Sequence, residues 1–240
     1  MARKRDSERG DEMPRVCVFD VNETLLDLGA LDPHFERVFG DASVRRSWFL
    51  QVLQSALVAT VTDDYKDFGA IGAGALDMTA ERLGVDVSEE DKKQILGGMR
   101  ELPPHPEVAE SLSRLREAGL RLATLTNSTR QVAEAQIANA GLTEYFEQIL
   151  SADSVQRLKP ASEPYHMAAQ SLGVEVGDVR LIAAHAWDVA GALRAGCAAA
   201  FVARPGMVLD PLVEGPDVVG ADLGEIADKI RELEAGDVRG

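Results

Sequence analysis

Polar residues able to do chemistry recur at four places in the 240-residue chain. Asp20, Asn22 and Thr24 follow the apolar run "VCVF" (Val16–Phe19). Thr126, Asn127 and Ser128 close and follow "LRLATLT". Lys159 stands in "RLKPASEPYHMA", and His185 and Asp188 stand in "LIAAHAWDVAG". Each group taken alone reads as a cap or a turn, because short polar side chains accept from free backbone N–H groups there. Thr126–Ser128 and Asp188 in particular read as helix N-caps. Four such groups at one edge of one sheet would instead meet in space, which capping does not explain. Lys159 suggests the purpose: a lysine beside a buried carboxylate holds that carboxylate ionised.

The elements that would carry these groups alternate. Short apolar runs read as buried parallel strands: Val16–Phe19, Leu120–Thr126, Gln148–Leu150, Val179–Ala184 and Ala198–Ala203. Between them lie the helical patterns "PEVAESLSRLREAG", "TRQVAEAQIANAG", "ASEPYHMAAQSLG" and "WDVAGALRAG", each ending near a glycine, a common helix stop. The fold class is therefore α/β, a doubly wound parallel sheet. Residues 31–99 hold helical patterns and no clear strand, the longest being "SVRRSWFLQVLQSALVAT". They read as an inserted helical cap domain over the carboxyl edge of the sheet, where ligands bind in such folds. The expected division is a disordered segment at 1–14, an α/β core at 15–30 and 100–240, and the cap at 31–99. "GAIGAG" (Gly69–Gly74) follows no expected strand, so it reads as small residues at a helix contact and not as a phosphate loop.

Composition narrows the class. The formal charge is −15, with 45% hydrophobic and 27% charged residues. No basic stripe is available for nucleic acid. No run approaches the ~20 apolar residues of a membrane span. The charged start has no apolar stretch after it and does not read as a signal peptide. Cys17 and Cys197 lie in apolar runs and read as core residues in a reducing cytoplasm. No Cys/His cluster suggests a metal site.

"FDVNETLLD", "TLTNST", "LKPASEPY" and "AAHAWDVAGA", in this order and spacing, resemble the motifs of the haloacid dehalogenase superfamily. The likeness covers about Arg15 to Pro205 and is greatest to the L-2-haloacid dehalogenase branch. It implies a Rossmann-like core in which Asp20 is the nucleophile. Asp20 would form a covalent ester that water then hydrolyses. The inserted helices resemble the family's cap.

Asn22 decides between branches. Phosphatases of the superfamily expel an alkoxide and normally use a second aspartate at this position as general acid. An amide donates a hydrogen bond but cannot deliver a proton. A halide is a weak base and needs only donors or a cation where charge develops. Asn22 is thus awkward for phosphate esters and harmless for dehalogenation, and a purely loop-stabilising role is compatible with both.

The resemblance implies further roles. Thr24 would hydrogen-bond the nucleophile, Thr126 would bind the substrate carboxylate, and Asn127 would lie near the departing halide. Lys159 would pair with Asp20, and Tyr165 and Trp187 match residues of that site. Asp188 would orient Lys159 or help activate water. The halide-binding arginine lies early in the cap, where "SVRRSW" offers Arg45 and Arg46. Spacing to "DYKDF" selects Arg46, with Leu50 and Leu53 on its helical face as pocket lining. A solvated surface arginine is the alternative for either one. Phe68 and Trp48 are aromatic pocket candidates, or core.

Four positions, two in the first motif and two in the last, depart from the branch. It usually has tyrosine and glycine where Asn22 and Glu23 stand, and serine and asparagine where Ala183 and His185 stand. His185 is able to replace the lost serine hydrogen bond and to titrate near neutral pH. A loop or cap role is the other reading. His34, His105 and His166 read as surface or packing residues.

The leading expectation is a metal-independent hydrolase of small 2-haloalkanoic acids. A phosphatase on the same fold would need Mg²⁺ and a general acid. A noncatalytic small-carboxylate binder would not need Asp20, Lys159 and Asp188 together. A homodimer through the cap is implied by the resemblance.

Overall fold

Strand β1 (Val16–Phe19) carries no polar side chain, and all four of its residues are buried. A strand covered on both faces needs such an unbroken apolar run. In this computed structural model, which describes residues 16–237 and side chains to 233, β1 sits at the centre of the sheet. The expected segment 1–14 lies outside the described residues. β1 pairs in parallel with β2 (Arg121–Thr126) on one side and β4 (Val179–Ala183) on the other. Phe19 stands opposite Thr124 and Ile182. β3 (Gln148–Ser151), β5 (Ala198–Val202) and β6 (Val218–Gly220) complete a six-stranded sheet in the order β3-β2-β1-β4-β5-β6.

The period of two along each strand divides the core. Cys17, Phe19, Leu122 and Ile182 face one cluster, and Val16, Val18, Ala123 and Leu181 face the other. The first face is covered by α5 (Val108–Glu117), α6 (Arg130–Asn139) and α9 (Leu223–Asp237), through residues such as Leu112, Ile137 and Ile226. The second is covered by α7 (Ser162–Leu172) and α8 (Ala186–Ala195), through Ala168 and Val189. Helices on both faces make the doubly wound fold expected from the alternation. Fully burying a side chain the size of Phe19 or Leu122 is worth roughly 1.5–3 kcal/mol, so this double covering is the main stabilising term.

Between β1 and α5 stand α1 (Asp32–Phe39), α2 (Val44–Val61), α3 (Phe68–Leu83) and α4 (Glu89–Gly98). Asp67 caps α3 by accepting from Ala70 N at 2.9 Å, and Ser88 caps α4 by accepting from Asp91 N at 3.2 Å. Trp48 is the pivot of their packing. Its ring lies 5.3 Å from that of Phe35, and its Nε1 donates to Gly72 O at 3.0 Å. The glycine-rich "GAIGAG" is thus a contact between α2 and α3. Ties between the insertion and the core include Tyr65 OH donating to Asp153, Arg157 pairing with Asp63, and Gln136 Nε2 donating to Met99 O at 2.7 Å.

The sequence reading overlooks β6 and α9. β6 has only three residues, too short for a period to register. In α9, Leu223, Ile226, Ala227 and Ile230 are all buried at helical spacing, a signal that was available. Both cysteines are buried as expected. Among the described residues, no helix is long and apolar enough to cross a membrane.

Candidate active site

β1 ends where its backbone still belongs to the sheet: Asp20 N donates to Ile182 O at 3.0 Å. The chain then turns, with Leu25 N and Leu26 N both donating to Val21 O. This turn brings Thr24 back over Asp20. Thr24 Oγ1 donates to Asp20 Oδ2 at 2.7 Å and accepts from Ala184 N at 2.9 Å. One hydroxyl thereby joins the ends of β1 and β4.

Lys159 is buried and uses its three donors on Asp20 Oδ1 (3.0 Å), Asp188 Oδ2 (2.6 Å) and Leu125 O (2.8 Å). Asn127 places it: Asn127 Oδ1 accepts from Lys159 N at 2.8 Å, and Asn127 Nδ2 donates to Lys159 O at 3.3 Å. Tyr165 OH donates to Asp188 Oδ1 at 2.6 Å. That approach depends on Gly191, where an added Cβ would lie 2.5 Å from Tyr165 OH and 2.9 Å from Pro160 O.

Neither capping alternative appears. The N-cap of α6 is Thr129 and that of α8 is His185, and neither makes a side-chain cap bond. Asp188 lies within the first turn of α8 and is turned to Lys159 and Tyr165. Thr126 Oγ1 accepts from Ser128 N at 3.2 Å. Asn22 is clamped: its Oδ1 accepts from Gln136 Nε2 at 2.9 Å, and its Nδ2 donates to Ser128 Oγ at 3.4 Å. It therefore does have a loop-fixing role while also lining the pocket.

His185 enters more deeply than its sequence context indicated. Its Nδ1 lies 3.3 Å from Asp20 Oδ2 and its Nε2 2.9 Å from Glu23 Oε2. Glu23 is the residue whose part the sequence did not disclose. It has φ +62°, and its Oε1 stands 3.7 Å from Arg45 Nη1.

The fold buries Arg45 and leaves Arg46 at the surface. Arg46 is exposed, and Leu50, placed on its face, is 67% exposed. Arg45 is buried, donates from Nε to Asp32 and stands beside Glu23. The helical face turned inward runs Arg45, Phe49, Leu53, at i, i+4 and i+8. Arg46 lies one residue out of phase with this face, and neither arginine lines the pocket. Of the two leucines, Leu53 lines the pocket.

Electrostatics follow from these contacts. Burial pushes the Asp20 carboxyl up, but Lys159, His185 and Thr24 outweigh it and hold it well below the usual carboxylate range. Burial lowers the His185 imidazole, but Asp20 and Glu23 raise it to about 9. Lys159 is raised against burial by Asp188 and Asp20. Burial raises Asp188 and Asp20's charge adds to it, against the pull of Lys159 and Tyr165. At neutral pH Asp20 is ionised and His185 carries a proton.

A small pocket opens beside Asp20. Asn22, Thr126, Asn127, Lys159, His185 and Trp187 line its polar side, and Phe49, Leu53 and Phe68 line its apolar side. Trp187 Nε1 is buried and has no protein hydrogen-bond partner. Trp48 does not reach this pocket. It lines a larger adjoining pocket that shares Phe49 and Phe68. Among the described residues, no group of three or more His, Cys, Asp or Glu is arranged to hold a metal ion. His34 and His105 are half-buried and His166 is exposed, none of them in the pocket.

Comparison with known proteins gives the same lineage. An (S)-2-haloacid dehalogenase of Pseudomonas sp. strain YL is 29% identical over 83% of this chain and 87% of its own length. (S)-2-haloacid dehalogenase 1 of Pseudomonas sp. strain CBS-3 is 31% identical over 74% of this chain and 79% of its own. The solved structure of an L-2-haloacid dehalogenase from Xanthobacter autotrophicus, with chloropropionic acid covalently bound, superposes with a TM-score of 0.85 at 27% identity. That match covers 91% of this chain and 99% of that one. The profile of the haloacid dehalogenase-like hydrolases matches residues 14–196. The chain belongs to the haloacid dehalogenase-like hydrolase family.

Proposed function

We propose that this hydrolase cleaves the carbon–halogen bond of small 2-haloalkanoic acids, giving halide and a 2-hydroxy acid through an ester on Asp20. The observation that carries the reading is an ionised, buried carboxylate opening on a small pocket with an amide, Asn22, two residues on. The amide is clamped by Gln136 and Ser128 and has no proton to give to an alkoxide. Relatives that carry the name (S)-2-haloacid dehalogenase support it.

In the first half-reaction Asp20 attacks the halogen-bearing carbon in line and inverts it. Thr126, with the backbone at the start of α6, receives the substrate carboxylate. Asn127 and Trp187, whose indole N–H is unengaged, face the charge developing on the halogen. Phe49, Leu53 and Phe68 exclude water from the carbon under attack. In the second half-reaction water attacks Asp20 Cγ and frees the 2-hydroxy acid.

The reaction runs without a divalent metal in this reading. Lys159 already supplies the positive charge between Asp20 and Asp188. The substrate is the only small-molecule partner required. A homodimer through α2 belongs to the same proposal: Leu50, Leu57, Val58 and Val61 form an exposed apolar stretch, 40–84% exposed. The proposed setting is the cytoplasm, with both cysteines buried as reduced thiols.

The test is halide release from haloacetates and from each 2-halopropionate enantiomer, with a phosphate-ester panel alongside, in EDTA and in Mg²⁺. Halide release that persists in EDTA is expected. Phosphate release that depends on Mg²⁺, with no halide release, would overturn the reading.

A further inference from the structure

His185 and Glu23, the two charged departures from the usual dehalogenase pattern, touch each other. His185 is 6% exposed, lines the pocket and lies with Nδ1 3.3 Å from Asp20 Oδ2. On its far side, Nε2 meets Glu23 Oε2 at 2.9 Å. Glu23 holds this position at φ +62°, a left-handed backbone that strains a non-glycine residue. What the strain secures is a carboxylate directed at the imidazole. Nucleophile, imidazole and second carboxylate thus stand in a row, the arrangement that hydrolases with a base and an orienting acid use.

We infer that His185 is the general base for hydrolysis of the Asp20 ester and that Glu23 is its positioning residue. The inference deepens the dehalogenase reading and rests on it. In the resting site His185 is protonated, because Asp20 and Glu23 flank it. Esterification removes the Asp20 charge. The imidazole then faces only Glu23, itself beside Arg45, with the Lys159–Asp188 pair beyond Asp20 and the apolar rings of Phe49 and Trp187 alongside. It releases its proton to solvent, the one proton that accompanies the halide overall.

Neutral His185 takes a proton from water as the water oxygen bonds to Asp20 Cγ. The tetrahedral adduct collapses, the Cγ–O bond to the substrate breaks, and the departing alkoxide takes that proton from His185. Asp20 is left as the carboxylic acid and passes its proton to His185, which restores the starting state. Glu23 fixes the ring and stabilises the imidazolium at both stages.

Burst kinetics with 2-chloropropionate on the full chain test this. His185→Asn is expected to release one halide per site quickly and then to turn over on the order of 10²–10⁴-fold more slowly than wild type. Mass spectrometry should find the ester on the Asp20 peptide. In Glu23→Gln the same step slows less, and its pH profile moves to lower pH because a raising charge is gone. Halide release and ester hydrolysis that fall together in His185→Asn, with no ester accumulating, would overturn the inference. If His185→Asn releases no halide, the Glu23→Gln profile decides, and an unshifted profile overturns it. Wild type that releases no halide defeats the dehalogenase reading as well, whereas wild-type release, with a variant that still releases halide but without a burst, defeats this inference alone.

Discussion

His185 shows how much a single contact decides. A lone histidine before "AWD" gave no sign of its partners, because those partners come from the β1 turn, about 160 residues earlier. In the fold its imidazole is raised from 6.5 to about 9, against burial, by Asp20 and Glu23. A group with a higher value in the folded state stabilises fully below its unfolded value and loses that contribution as pH rises through its folded value. His185 should therefore contribute up to about 3 kcal/mol below pH 6.5, fading between pH 6.5 and about 9. Denaturant unfolding across that window checks it: wild-type stability should decline, and His185→Asn should flatten the decline. An equal slope in both proteins would contradict it. Arg45 and Arg46 make a second comparison. Arg45→Ala leaves Asp32 without its cation and takes from Glu23 one of the two cations beside it, and should cost about 1–3 kcal/mol and much of the activity. Arg46→Ala, at an exposed position, should stay within about 0.5 kcal/mol of wild type in the same unfolding assay.

At the scale of elements, legibility followed periodicity. β1, β2, β4 and β5 were readable because their apolar runs are unbroken, and their helices because of spacing and terminal glycines. The face of α2 was not, because its apolar residues run almost all the way round the helix, and one residue of phase separates Arg45 from Arg46. The four polar groups at the strand ends were legible as a set, since strand order places them along one edge. Their detailed partners were not, and Asn127 illustrates why: its side chain braces the Lys159 backbone, a contact set by the loop after β3. The packing of α7 on α8 was likewise hidden. Gly191 lets Tyr165 reach Asp188, so Gly191→Ala should push Tyr165 and Pro160 away. Overpacking of this kind costs about 1–3 kcal/mol. A lower denaturation midpoint together with reduced turnover is the expected outcome, and an unchanged midpoint would contradict the contact.

Across the whole molecule, a parallel sheet supplies the charges and a helical insertion supplies the apolar wall. The sheet sets Asp20, Thr126, Lys159 and Asp188 at its carboxyl edge, while α2 and α3 bring Phe49, Leu53 and Phe68 over them. Tyr65–Asp153, Asp63–Arg157 and Gln136–Met99 hold the two parts together across the pocket. This division explains why resemblance to dehalogenases was readable from the core motifs while the pocket wall was not: the motifs lie in short segments of the sheet, and the wall depends on helix phase. The central claim is that Asp20, and not water, attacks the halogenated carbon. A single turnover in heavy-oxygen water, with enzyme in excess over 2-chloropropionate, tests it directly. The account predicts that the heavy oxygen enters the Asp20 carboxylate, read by mass spectrometry of its peptide, while the hydroxyl of the product carries ordinary oxygen from Asp20. Heavy oxygen in the product hydroxyl with none in the Asp20 peptide would contradict it.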